Sequence, residues 1–266
     1  PGEFYQLDLE MSFVEQEDIF NVVEKLMINL FREFSSKKIL SEKFPRISFE
    51  DSMKKYGTDK PDLRNPLIIN DITSLFLRED VKFDIFKKLV KNGAKVKTII
   101  TKNTQSKPRS FFDNIDKWAK EQGAAGLAYF TIEQNKNIQA KGPIGKFFSE
   151  DSLKELMKIC KASIGDSVFL ACGNSNDLNK ILSISRDKIA KDLNLIDEDC
   201  FSFCWIVDYP MFELDGKTNK IIFSHNPFSM PQGELKNLNF QKPLDIKAFQ
   251  YDIVCNGVEL SSGAIR

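Results

Sequence analysis

Asp252 and Glu259 are two acids seven residues apart, and between them lies the strongest turn signal in the chain, Asn256-Gly257. Asn-Gly between two strand-like runs (Ala248–Cys255 and Val258–Ile265) favours a two-residue hairpin turn, whose central positions need positive φ. With such a turn Cys255 faces Val258, Val254 faces Glu259 and Asp252 faces Ser261. Directly opposed residues point to one side of a sheet, as do residues two apart on a strand. Asp252 and Glu259 then share a face as diagonal neighbours, their backbones about 7–8 Å apart. Two such carboxylates repel unless they are solvated, hydrogen-bonded or bridged by a cation. Mg²⁺ held by one or two carboxylates plus substrate phosphates suits the pair; two solvated surface acids fit the same pattern. Arg266, seven residues beyond Glu259, falls on the other face by parity, unless a bulge at Ser261-Ser262-Gly263 changes the count.

His225 is the only histidine and precedes Asn226-Pro227. A lone His before Asn-Pro is more often a loop hydrogen-bonder than a catalyst. Gln6, Asp8 and Glu10 alternate with Tyr5, Leu7, Leu9 and Met11, so they would form the polar face of a strand. That face could bind a ligand or merely meet solvent. Lys60 and Arg64 beside Asp59 and Asp62 read as a surface ion-pair cluster. Five cysteines (160, 172, 200, 204 and 255) lack zinc-site spacing and are expected as reduced thiols of a cytosolic protein.

The elements that must hold these residues alternate in type. After the strand of residues 4–11, a helix spans about Gln16 to Phe34 with Ile19, Val22, Val23, Leu26, Leu30 and Phe34 as its apolar stripe. Ser48 reads as the N-cap of a short helix ending near Tyr56, with Gly57 just past it. Residues 67–173 read as a separate unit. Helical patterns near 81–91, 113–121 and 152–160 alternate there with strand-like runs 96–101, 127–132 and 168–172, and 134–145 reads as a loop. A helix follows over about 177–193. Strands 203–207 and 220–223 are expected to join through a turn at Asp215-Gly216.

With 38 basic and 38 acidic residues the net charge is zero, so no global field draws the chain to nucleic acid or an anionic membrane. An RNA partner must meet a local patch. No apolar run approaches the ~20 residues of a membrane span, and a signal peptide is not expected.

Five segments together carry a family resemblance. Residues 1–13, PGEFYQLDLEMSF, resemble the second strand of motif 2 in class II synthetases as bacterial aspartyl-tRNA synthetases write it. Tyr56–Arg64 is similar to their YGSDKPDLR signature, and Phe203–Glu213 to their WVIDFPMFE strand. His225-Asn226-Pro227-Phe228-Ser229 resembles HHPFT, and Asn256–Arg266 resembles NGxExGGGSIR. Residues 67–173 stand where those enzymes carry a GAD insertion, and Gly126–Tyr129 and Gly142–Phe147 are similar to its patterns. The sequence departs at Asn226, where the family has a second His, and at Ser261-Ser262, where it has Gly-Gly.

The resemblance implies an α+β fold: a class II antiparallel sheet flanked by helices, with core parts 1–66 and 174–266 around an inserted α+β domain. It implies ATP-dependent activation of L-aspartate to aspartyl-adenylate and transfer to tRNA-Asp, with tRNA-Asn as a further acceptor, in a cytoplasmic homodimer. Phe4 would stack on adenine; Gln6, Asp8, His225 and Arg266 would bind aspartate; Glu259 would bind ATP, and Asp252 and Glu259 would hold Mg²⁺. Motif 1, the first strand of motif 2, motif 3 and the anticodon-binding barrel are not among these residues, so the 266 residues alone are expected not to form the adenylate. A non-catalytic tRNA- or protein-binding paralogue on the same scaffold is the alternative. An asparaginyl or lysyl enzyme is disfavoured by the GAD-like insertion and the Tyr56–Arg64 signature.

Overall fold

A computed structural model describes residues 2, 3, 5–233 and 241–266. In chain order the first elements are α1 (Gln16–Phe34), β1 (Lys38–Ile39), β2 (Arg46–Ser48), α2 (Phe49–Lys55), β3 (Ile69–Asp71), α3 (Asp84–Lys91), β4 (Lys95–Thr101), α4 (Arg109–Glu121), β5 (Ala128–Gln134) and β6 (Ile138–Lys141). There follow α5 (Glu150–Cys160), β7 (Ser167–Gly173), α6 (Ser175–Asp192), β8 (Cys200–Phe201), β9 (Phe203–Pro210), β10 (Phe212–Leu214), β11 (Ile221–Phe223), β12 (Lys247–Cys255) and β13 (Val258–Ala264). They divide into two compact units, Pro1–Phe49 with Glu198–Arg266, and Glu50–Asp197. The sheets are mainly antiparallel and flanked by helices, an α+β arrangement. No helix among the described residues is long and apolar enough to cross a membrane.

The unit of residues 50–197 holds a five-stranded antiparallel sheet in the order β3-β4-β7-β5-β6. Its central strands are apolar on both faces. Val96, Ile100, Phe130 and Val168 join one core with Leu153 and Leu156 of α5. Ile99, Tyr129 and Phe169 join another with Phe112 of α4 and Leu182 of α6. A sheet sandwiched between helices reads as continuous apolar runs, which is why these strands were legible as short hydrophobic stretches. Helix α6 also ties down the segment after α2. Fully buried Arg186 donates to the carbonyls of Leu67 (2.6 Å), Asp62 (2.8 Å) and Asn65 (2.9 Å), and its guanidinium lies 4.9 Å from the Tyr56 ring centre. Within that segment Arg64 grips Asp62 with two bonds, Nη2 to Oδ2 at 2.7 Å and Nε to Oδ1 at 3.0 Å.

The other unit carries a four-stranded sheet, β13-β12-β9-β2, with α1 against one face. Phe20 stacks on Trp205 at 4.1 Å, and Phe31 packs edge-on against Phe203. Glu24 sits on the covered face of α1, accepting from Trp205 Nε1 (2.9 Å) and Arg46 Nη1 (2.5 Å). A buried carboxylate is tolerated there because both a cation and an indole N–H satisfy it.

Four sequence expectations are corrected. Residues 5–11 form no strand; Tyr5 and Leu7 are exposed, and no strand among the described residues forms a ladder with the segment. Alternation alone makes no strand, because its backbone groups need a neighbouring ladder. The covered face of α1 carries Ile19, Phe20, Val23 and Phe31, while Val22, Leu26, Leu30 and Phe34 are exposed. Two apolar stripes interleave on this helix, and the aromatic rings of β9 select the one containing Phe20. Residues 138–141, expected as loop, form the edge strand β6, which needs only one partner. Finally, β11 pairs with β10, not with β9.

Candidate functional site

The hairpin forms as expected at its tip and then departs from strict pairing. Cys255 opposes Val258 and Val254 opposes Glu259, but a bulge follows, so that Ile253 opposes Ser261 and Asp252 opposes Ser262. The expected Asp252–Ser261 pairing is thereby corrected by one position. Leu260 is the extra residue, and such an insertion restarts the alternation beyond it. Tyr251, Ile253 and Cys255 point into the core beneath α1, and Ile265 packs on that core too. Asp252, Glu259 and Ser262 therefore belong to the opposite face, and continued alternation carries Arg266 to that face as well. The parity that separated Arg266 from the acids is overturned by this bulge, and its place at Leu260 was not legible in the sequence.

Gly263 shows why one glycine remains in the Ser-Ser-Gly segment. A Cβ there would lie 2.5 Å from Cε2 of Tyr251, whose ring fills the core side. Beyond it Met230 N–H donates to the Ile265 carbonyl (2.7 Å) and Ile265 N–H to Phe249 (2.9 Å), fixing the backbone that presents Arg266.

Asp252 is 3% exposed, and Oδ2 accepts a hydrogen bond from the Tyr209 hydroxyl at 2.5 Å. Tyr209 reaches it through a local break in β9. Trp205 and Val207 face α1, and strict alternation would send Tyr209 the same way. Asp208 instead has φ +58°, and the β9–β12 register shifts between the pairs Val207–Tyr251 and Tyr209–Ala248. Gln232 Nε2 braces the break, donating to Asp208 Oδ1 (2.7 Å) and to the Ala248 carbonyl (3.2 Å). The Tyr209 ring meets the His225 ring edge-on at 4.9 Å, and Phe49 lies 5.0 Å from Tyr209 and 5.7 Å from His225. His225 is exposed, its Nδ1 2.7 Å from the Ser224 hydroxyl. Sequence reasoning missed Tyr209. The available signal was a tyrosine inside a mostly apolar strand, since a buried phenol needs a hydrogen-bond partner.

Arg266 stacks over Phe228 at 5.0 Å, and its Nη1 lies 3.3 Å from Glu10 Oε1. That contact brings the end of the first segment to Arg266. Gln6 and Asp8 are exposed and bonded to each other, Nε2 to Oδ1 at 2.7 Å. Phe4 lies outside the described residues. Among the described residues no group of three or more His, Cys, Asp or Glu side chains could hold a metal ion. Asp252 and Glu259 share the hairpin face without belonging to any such group. The five cysteines are unlinked, and burial pushes the Cys204 thiol up to about 12, so it is inert at neutral pH.

Comparison with known proteins gives a consistent picture. The family model described as tRNA synthetases class II (D, K and N) matches residues 1–266. An aspartate–tRNA(Asp/Asn) ligase of Pelagibacter ubique (strain HTCC1062) is 72% identical over 266 residues, which is 100% of this chain and 45% of that protein. The ligases of the same name from Ehrlichia chaffeensis (strain ATCC CRL-10679 / Arkansas) and Gluconobacter oxydans (strain 621H) are 54% and 50% identical, again over 100% of this chain and 44% of theirs. The chain thus spans less than half the length of these curated relatives.

Proposed function

Because this chain belongs to the class II tRNA synthetases (D, K and N), we propose that it carries the aspartate- and ATP-binding interior of an aspartate–tRNA ligase. The whole protein would join L-aspartate to ATP, releasing pyrophosphate, and pass the aspartyl group from the adenylate to tRNA-Asp. The names of its relatives include tRNA(Asp/Asn), which makes tRNA-Asn the second acceptor to test. A cytoplasmic homodimer is part of this reading. So is the assignment of residues 67–173 as a GAD-type insertion between core parts 1–66 and 174–266.

The observation that carries the reading is the bulged hairpin. It lets two carboxylates, Asp252 and Glu259, share a face with the guanidinium of Arg266. The acids suit Mg²⁺ with ATP phosphates, and Glu259 also suits contact with ATP directly. When bound, the ion would neutralise phosphate charge and help orient the α-phosphate. Arg266 suits the side-chain carboxylate of aspartate, to which a planar fork can donate two bonds. Glu10 holds that guanidinium until substrate replaces it. Asp8, held by Gln6, offers a carboxylate for the substrate ammonium, and His225 would lie over the amino acid. Phe4 is assigned to adenine by the family pattern. Catalysis then rests on holding the aspartate α-carboxylate in line with the α-phosphate, with no covalent enzyme intermediate.

The test is ATP–pyrophosphate exchange by the whole protein with each amino acid in turn. Aspartate alone should support exchange, and Asp252→Asn should lower it about a hundredfold by removing one charge from the phosphate site. Exchange driven equally by lysine or asparagine would sink the assignment.

A further inference from the structure

Tyr209 is a buried phenol with three neighbours that matter for this site: the carboxylate of Asp252, the ring of His225 and the ring of Phe49. We propose that Tyr209 is a positioning residue: its hydroxyl fixes the rotation of Asp252 for the cation–phosphate site, and its ring supports the loop carrying His225. The inference rests on the assignment of Asp252 to that site. It adds a residue to which neither the family pattern nor the sequence gave a role.

Three observations carry it. First, the strand breaks its own alternation to place the phenol. Asp208 takes a left-handed φ of +58°, a conformation costly for a non-glycine residue, and Gln232 braces it. Without that break Tyr209 would follow Trp205 and Val207 towards α1. Second, the bond engages one carboxylate oxygen of Asp252 as an acceptor, which restrains the group's rotation while leaving its charge in place. Third, the same ring touches His225, so one side chain braces a residue assigned to the phosphate end and one assigned to the amino-acid end. The strand pattern that residues 203–213 resemble has phenylalanine here. The ring packing is therefore common to that pattern, and the hydroxyl is the part this chain adds.

The test is Tyr209→Phe in the whole protein, with ATP binding followed by calorimetry across a Mg²⁺ titration. The expected result is a roughly tenfold rise in the Mg²⁺ concentration needed for half-maximal ATP binding, the scale of one hydrogen bond to a charged group. ATP affinity at saturating Mg²⁺ should stay unchanged, because the ring is kept, while the thermal midpoint without ligand should fall by a few degrees, because buried Asp252 loses a donor. A Mg²⁺ dependence identical to that of the parent would overturn the proposal. So would an equal loss of ATP binding at every Mg²⁺ concentration, the signature of a purely packing role. If the unsubstituted protein shows no Mg²⁺-dependent ATP binding, the synthetase site assignment fails, and that outcome is recognised without any variant.

Discussion

The two sheets of this chain differ in which helices cover their faces. In residues 50–197 helices cover both faces, and the central strands bury apolar side chains on each. In the other unit α1 covers one face only, and the reverse of β12 and β9 carries Asp252 and receives the Tyr209 hydroxyl. The doubly covered sheet gains stability from area, and the charge it buries, Lys97, is met by the side-chain amide of Asn179 at 2.6 Å. A sheet with one helical cover can place carboxylates and a guanidinium on its second face, at the cost of satisfying each one. The departures from regularity follow the same division. The bulge at Leu260 and the left-handed Asp208 both lie in the sheet that bears the proposed site, and each redirects a side chain assigned to it.

That contrast can be broken experimentally. The largest effect is expected in the doubly covered sheet, where Phe130 is fully buried. Phe130→Ala should cost about 3–5 kcal/mol, read by chemical denaturation, while KM for aspartate in the folded population stays at the parent value. A raised KM would show that this core does more than hold the fold.

A smaller and more pointed effect is expected in the other sheet. Gly263→Ala forces a methyl against the Tyr251 ring and should cost about 1–3 kcal/mol. Because Arg266 lies three residues on, the same variant should raise KM for aspartate more than it lowers kcat. Equal kcat and KM in variant and parent would mean that the strand end adjusts without moving Arg266.

The smallest effect concerns charge at the edge of the doubly covered unit. Bonds from Arg78 and then Ser149 hold the Asp80 carboxyl down at about 2. A depressed carboxylate adds stability that is present above its unfolded value and lost as pH falls through the folded one. Asp80→Asn should therefore cost under about 1 kcal/mol at pH 7, as befits a pair largely in solvent. The difference from the parent should fade between pH 4 and 2. A gap that persists at pH 2 would place the effect in packing and not in charge.

Much of the fold was readable in advance. The buried strands β4, β5 and β7 and helices α4 to α6 declared themselves through hydrophobic patterning. The pair Val254–Glu259 followed from Asn256-Gly257 alone, because an Asn-Gly turn sets the register of the pairs beside it. What failed did so for one reason: each failure depended on a partner elsewhere in the chain. Residues 5–11 alternate like a strand but find no ladder among the described residues. Helix α1 offered two apolar stripes, and Trp205, Phe203 and Phe44 decided which was covered.

The acids of the hairpin show where the division falls. By itself the sequence determined that Asp252 and Glu259 share a face, since period two and a two-residue turn are local properties of the backbone. Only the tertiary structure decided that Arg266 joins them and that Tyr209 holds Asp252. The first needed a bulge at Leu260, set by Tyr251 packing against Gly263 and Ile265 against the core. The second needed Asp208 to leave the strand conformation, braced by Gln232 from another segment. Local spacing fixes direction as long as a strand stays regular; where it breaks, packing against distant residues fixes it instead.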